Sequence, residues 1–249
     1  MPSHPWLVLL LHGPAHALDP APWQSVLDAH VDSASRVDYA AAASDPRLEA
    51  YVTSLATAPE PQGRAAKLAF WMNAYNALTV DLVADEWPLT SIRDLDGGNP
   101  WRKRTFIVAS RSVTLDDIEH GILRPLGDPR IHAGVNCASM GCPPLHRRAF
   151  TAATVDSELD EAVARWAATN AVVADEPGGA LRISRIFDWY GEDFSRGTVE
   201  DLPGVRGKQE AALVFLLPHL PPALQARVRG GGVEVDWLPY SWTVNAQDR

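Results

Sequence analysis

Both cysteines of the chain and two of its eight histidines lie between Ile131 and His146. Three chemistries fit those residue types. A thiolate nucleophile needs a base within hydrogen-bond reach and a third group to hold the imidazole. It also gains from a position at a helix N-terminus. Cys142 suits this better than Cys137, because it follows Gly141 and precedes Pro143 and Pro144, residues that are tolerated in a first helical turn. His132 is then the preferred base, Glu119 a group that could orient it from across a pocket, and His120 a rival base. Cys137 reads as a buried neighbour or resolving thiol. The second chemistry is zinc. His132, Cys137, Cys142 and His146 are acceptable donors, but their spacing differs from the usual pair of thiolates around one short turn. The third is a structural disulfide. The thiol reading ranks first and requires neither a metal nor a cofactor.

The elements that must position these groups follow from periodicity. Arg64 to Ala84 carries Leu68, Trp71, Met72, Tyr75, Leu78 and Leu82 and is apolar nearly all round, which predicts a central buried helix. Asn73 and Asn76 are its anomaly. Amides three apart share a side of the helix and need partners if buried, and here they are read as hydrogen-bond donors to substrate or to an oxyanion. Trp71, Asn136 and Tyr240 are assigned to substrate contact. Arg130 to Val135 alternates and reads as a strand, with His132 on its less apolar face. Arg104 to Val108 is a second strand, followed by a turn at Arg111 and Ser112. Further helices are expected at Trp23–Val31, from Asp45-Pro46 onward, and at Leu115–Leu123 behind a Thr114 cap. Others are expected at Asp156–Ala168, Ile186–Phe194 and Lys208–Leu217. Strands are expected at Leu181–Ser184 and Val233–Trp237. The class is α+β: a helix-rich single domain around a small, mainly antiparallel sheet.

A chain of 249 residues with 46% apolar content can bury a sizeable core. Its formal charge of −9 argues against non-specific binding to nucleic acid or anionic lipid. Nine tryptophans are many for this length, and Trp71, Trp189, Trp237 and Trp242 all sit beside polar residues, which suits a pocket wall. The run Trp6–Leu11 is too short to span a bilayer, and no other stretch does better. Followed by Ala15-His-Ala17, it is similar to a secretion signal that lacks a positive start. Residues 1–18 are therefore read as a signal or disordered terminus and 19–249 as one domain. The protein is expected in the periplasm or outside the cell, or in the cytoplasm if that segment is not a signal.

Several stretches resemble the motifs of the DUF547 domain family. They are Leu68-Ala-Phe-Trp-Met-Asn-Ala-Tyr-Asn-Ala-Leu-Thr79, Leu115–Arg124, Asp128–Leu145, Ile186–Phe194 and Leu238–Asn245. The resemblance runs from about Trp23 to Asn245. Small residues at Ala133 and Gly134 depart from the family pattern and are expected to widen the pocket beside His132. Bacterial members of the family often look exported. The family is loosely similar to the papain and transglutaminase layout of a buried helix packed on a sheet, which implies a divergent arrangement of that kind. The nucleophile is then expected to have moved from the central helix to Cys142. The expected function is a cysteine-dependent hydrolase or transferase acting on amide, peptide or thioester bonds of a peptide-like or small-molecule substrate. The alternatives are a non-catalytic binding module of the cell envelope and a zinc hydrolase.

Overall fold

The computed structural model describes residues 18–174, 179–196 and 201–247. The signal reading of the first residues lies outside them. The N-terminal half is built from α1 (Ala21–His30), α2 (Tyr39–Ala42), α3 (Pro46–Leu55) and α4 (Arg64–Asp85). Then come α5 (Pro100–Lys103) and a hairpin of β1 (Phe106–Val108) and β2 (Arg111–Val113). Its two-residue turn is Ala109-Ser110, both at positive φ, as a turn matching strand twist requires; the turn expected at Arg111 and Ser112 falls inside β2. A π-helical segment, Asp117–Leu123, leads to α6 (Ile131–Gly134) and α7 (Val155–Thr169). The chain continues through β3 (Val172–Ala174), β4 (Leu181–Ile183), α8 (Arg185–Trp189), α9 (Gly191–Phe194), α10 (Gly207–Leu216), α11 (Pro222–Gly230) and β5 (Val235–Trp237).

The result is a mostly helical domain with two small open sheets. β1 and β2 pair antiparallel; β3 pairs antiparallel with β4, and β4 parallel with β5. The expected strand at Arg130–Val135 is instead α6. The layout of a buried helix against a His-bearing strand is therefore not what this chain builds. Among the described residues no helix is long and apolar enough to cross a membrane.

α4 is the pillar. Leu68, Trp71, Met72, Tyr75 and Leu78 are fully buried, and α2, α3, α6, α7 and the π-helical segment all pack on it. A second cluster gathers α7, α8, α9 and α10 around Trp166 and Phe187, whose rings stack at 4.6 Å. Gly134 sits where α6 meets α4: a Cβ there would lie 2.5 Å from the Met72 sulfur. Gly134 thus serves close packing, and Ala133 is buried in the second cluster, so neither widens a pocket beside His132.

The two asparagines of α4 stitch the long 134–150 loop to this pillar. Asn73 Nδ2 donates to the Phe150 carbonyl at 2.8 Å, and the Phe150 N–H donates back to Asn73 Oδ1 at 2.9 Å. Asn76 Nδ2 donates to the Gly134 carbonyl at 2.8 Å and its Oδ1 accepts from the Asn136 N–H at 2.9 Å. Each amide spends both ends on loop backbone, which offsets the cost of burying it.

Candidate functional site

Asn136 carries the stitching onward. Its Nδ2 donates to the Pro143 carbonyl at 2.8 Å, and its Oδ1 accepts from the Ala138 N–H at 2.9 Å and from Asn245 Nδ2 at 3.2 Å. This closes the loop that holds Cys137 and Cys142, and the two cysteines are joined in a disulfide. The C-terminal tail seals it from outside: Met140 N–H donates to the Thr243 carbonyl and Gly141 N–H to the Ser241 carbonyl. Gly141 is required here, since a Cβ would lie 2.8 Å from the Tyr240 ring. The Tyr240 hydroxyl lies 2.8 Å from Ser139 Oγ and 3.1 Å from the Cys137 sulfur.

The disulfide overturns the leading expectation. Cys142 has no thiol to ionise, so it is not a nucleophile, and Cys137 is not a resolving thiol. The same bond removes two of the four expected zinc donors. Of the two that remain, His132 is held by Asp193 and His146 is buried against Phe150 with ring centroids 4.9 Å apart. Among the described residues no group of three or more His, Cys, Asp or Glu side chains is placed to hold a metal ion. The third reading, a structural disulfide, is the one the structure contains.

The disulfide forms part of the wall of a cavity of about 350 Å³, within the range of small-molecule sites. The buried His132, Glu119 and Tyr75 form its floor, the partly exposed Trp101, Trp189, Tyr190, Tyr240 and Trp242 its mouth, and His120, Asp116, Arg102 and Ile186 also line it. Trp71, Asn73, Asn76 and Asn136 lie behind this lining rather than in it. Trp71 is fully buried, and its indole N–H has no hydrogen-bond partner.

Local folding explains how the floor is assembled. Thr114 and Asp117 cap each other: Asp117 N–H donates to Thr114 Oγ1 at 3.0 Å and Thr114 N–H donates to Asp117 Oδ2 at 2.9 Å. The following turn is wound wide, with the Arg124 N–H reaching back to the Glu119 carbonyl. Such π-helical turns are rare and recur at functional sites. Both Glu119 and His120 line the cavity from this turn.

The helix expected over Ile186–Phe194 breaks at Tyr190 into α8 and α9. At the break Gly191 lets Lys208 pass where a Cβ would be only 2.5 Å away. The break lays the Tyr190 ring on His132, with centroids 4.4 Å apart and planes 20° apart. It also points Asp193 of α9 at the same imidazole: His132 Nε2 lies 2.8 Å from Asp193 Oδ2. Arg124 donates to that carboxylate through Nε at 2.6 Å and Nη2 at 3.2 Å. Burial pushes the Asp193 carboxyl up, but the hydrogen bonds from His132 and Arg124 outweigh it and hold the group well below the usual carboxylate range.

Glu119 does face His132, with Oε1 4.0 Å from Nδ1, but the tight partner of that ring is Asp193. Burial first, then the charge and hydrogen bonding of Glu119, push the Tyr75 and Tyr190 phenols up, so both keep their protons as donors. His120 is tied elsewhere: its Nδ1 lies 3.2 Å from Arg124 Nη1 and its Nε2 lies 3.5 Å from Asp116 Oδ1. A guanidinium only donates, so Nδ1 is the acceptor of the first pair. Asp116 also accepts from Arg102 at 2.9 Å.

The structure therefore gathers His132, Glu119, His120 and Tyr240 around one cavity, with the sulfur atoms locked in its wall. Sequence reasoning missed Asp193, Tyr75, Tyr190 and Trp101 as parts of it. One signal was present: Trp189, Tyr190 and Asp193 all fall in the Ile186–Phe194 stretch already singled out by resemblance, and its polar and aromatic density exceeded what a core helix needs. Residues 59–166 match the family model described as "Protein of unknown function, DUF547", a narrower span than Trp23 to Asn245. It contains α4, the π-helical turn, α6 and the disulfide loop, and excludes α8, α9, Tyr240 and Trp242. No curated protein and no solved structure matches the chain.

Proposed function

We propose that this protein is a non-catalytic, small-molecule-binding module of the cell envelope, with the aromatic-mouthed cavity as its binding site. The observation that carries this reading is the lining itself. Five aromatic residues ring the mouth above a floor of hydrogen-bonding groups, while the two cysteines are bonded to each other. Apolar walls with a few convergent polar groups are the usual composition of a ligand site. Trp189, at 46% exposed, leaves a large apolar face open to solvent, against the usual tendency of such surface to be covered. The disulfide suits an oxidising compartment, in keeping with periplasmic or secreted placement.

The test is a thermal-shift screen of small polar metabolites against the whole chain, repeated on Trp189→Ala and Trp242→Ala. Ligands that raise Tm in the parent should lose most of their effect in both variants, and mass spectrometry should recover them unchanged. Hits indifferent to both substitutions would place binding elsewhere, and conversion of a ligand would overturn the non-catalytic reading.

A further inference from the structure

Of the three carboxylates at the cavity, one lacks a close guanidinium partner. Asp116 is paired with Arg102 at 2.9 Å and Asp193 with Arg124 at 2.6 Å. Glu119 is buried as well, at 9% exposed against 6% for Asp193. Yet among the described residues its ion-pair contact is the His132 imidazole at 4.0 Å, while the Arg124 guanidinium, bound to Asp193, acts on it only from further away. A carboxylate taken out of water without a matching cation is costly, and phenol donors offset only part of that cost.

The rings above it are tilted against one another, by 51° to 59° in three neighbouring pairs, around the opening. Tyr240 and Trp242 are 4.5 Å apart, Trp189 and Tyr240 4.8 Å, Trp101 and Trp242 5.8 Å. The face of an aromatic ring carries negative potential and attracts a cation most strongly where water is excluded. A buried carboxylate at the bottom and several ring faces at the top favour the same sign of ligand charge. They disfavour an anion, and a neutral sugar would leave Glu119 unmatched.

We propose that the cavity recognises an organic cation, a quaternary or alkylated ammonium group held by Glu119 and boxed by Trp101, Trp189, Tyr240 and Trp242. The inference rests on the binding-module reading and deepens it by naming the ligand class. The cation completes the pairing that Arg102 and Arg124 provide for the other two carboxylates. The cavity of about 350 Å³ admits a trimethylammonium head with a short tail.

The experiment is calorimetric titration of the whole chain with choline chloride at low ionic strength. The controls are 3,3-dimethyl-1-butanol, which has the same shape without the charge, and matched sodium chloride. Choline should bind at least tenfold more tightly than the neutral isostere. Glu119→Gln, with its fold checked by circular dichroism, should weaken choline at least tenfold and leave the isostere little changed. Trp189→Ala alters an exposed side chain and serves if Glu119→Gln does not fold; it should weaken choline about fivefold. Equal affinity for choline and the isostere, or undiminished choline binding to a folded Glu119→Gln, would overturn the cation assignment. Glucose and acetate separate the two levels. If either binds in a Trp189-dependent way while choline does not, the cation class falls and the binding site stands. If choline, glucose and acetate all fail and the metabolite screen finds no Trp189-dependent ligand, both fall.

Discussion

Asn76 and Glu119 are buried polar side chains on neighbouring elements, and they spend their hydrogen-bonding capacity in opposite ways. Asn76, on α4, gives its donor to Gly134 and its acceptor to Asn136, both main-chain groups of one loop. Asn73 does the same with both polar groups of Phe150. Glu119, on the π-helical turn that packs against α4, turns to phenols and an imidazole around an empty space. A buried group that closes its accounts on backbone fixes a fold. One that faces side chains around a cavity keeps capacity for a ligand. Burial and polarity alone cannot separate the two roles; the identity of the partners does.

The sharpest way to break this comparison is to remove one member of each class. Asn76→Ala strands a buried carbonyl and a buried N–H at once, and should cost about 2–4 kcal/mol of unfolding free energy. Glu119→Gln keeps the shape and relieves an unmatched charge, so its stability should stay within about 1 kcal/mol of the parent. Equilibrium urea denaturation measures both. If Asn76→Ala loses less than Glu119→Gln, the asparagine is not a clamp and the division of labour drawn here is wrong.

The disulfide lies on the seam between the two regions. Asn136 holds the base of its loop and Tyr240 covers its outer side. Cys137→Ser combined with Cys142→Ser removes the cross-link from the unfolded chain. With so few residues in the closed loop, that should cost about 2 kcal/mol. The parent in reductant should fall to the level of the double variant. Superimposable unfolding curves with and without reductant would mean that the asparagine clamps alone order the loop.

How much of this was legible depended on whether burial was one-sided. α3, α7 and the start of α4 follow from apolar spacing, and Ser184 caps α8, accepting from the Ile186 N–H at 3.3 Å. Arg130–Val135 misled because every residue from Ile131 to Asn136 is buried. With no wet face, a helical turn shows no 3.6-residue period, and the chance alternation looked like a strand. Pro222 occupies the first turn of α11, where a missing N–H costs nothing. The pairing of Asp193 with His132 spans 61 residues and depends on the break at Tyr190. Neither leaves a local pattern. For the two cysteines, spacing alone does not distinguish a nucleophile from a cross-link.

His146 belongs to neither class and gives the finest test of the distinction. It is buried, its Nε2 has no hydrogen-bond partner, and its ring stacks on Phe150. Burial first, then the nearby Arg148 charge, push its pKa down from 6.5 to about 4. The folded chain therefore binds fewer protons than the unfolded chain between these values, so stability falls as pH drops from about 6.5 towards 4 and levels off below. Between pH 7 and 5 this one group should account for about 1–2 kcal/mol of lost stability. His146→Leu keeps an apolar side chain against Phe150 and removes the titration. Urea denaturation of parent and variant at both pH values isolates the effect as a difference of differences. If the variant loses as much stability as the parent on acidification, His146 has a partner after all and should be counted with the asparagines as part of the clamp.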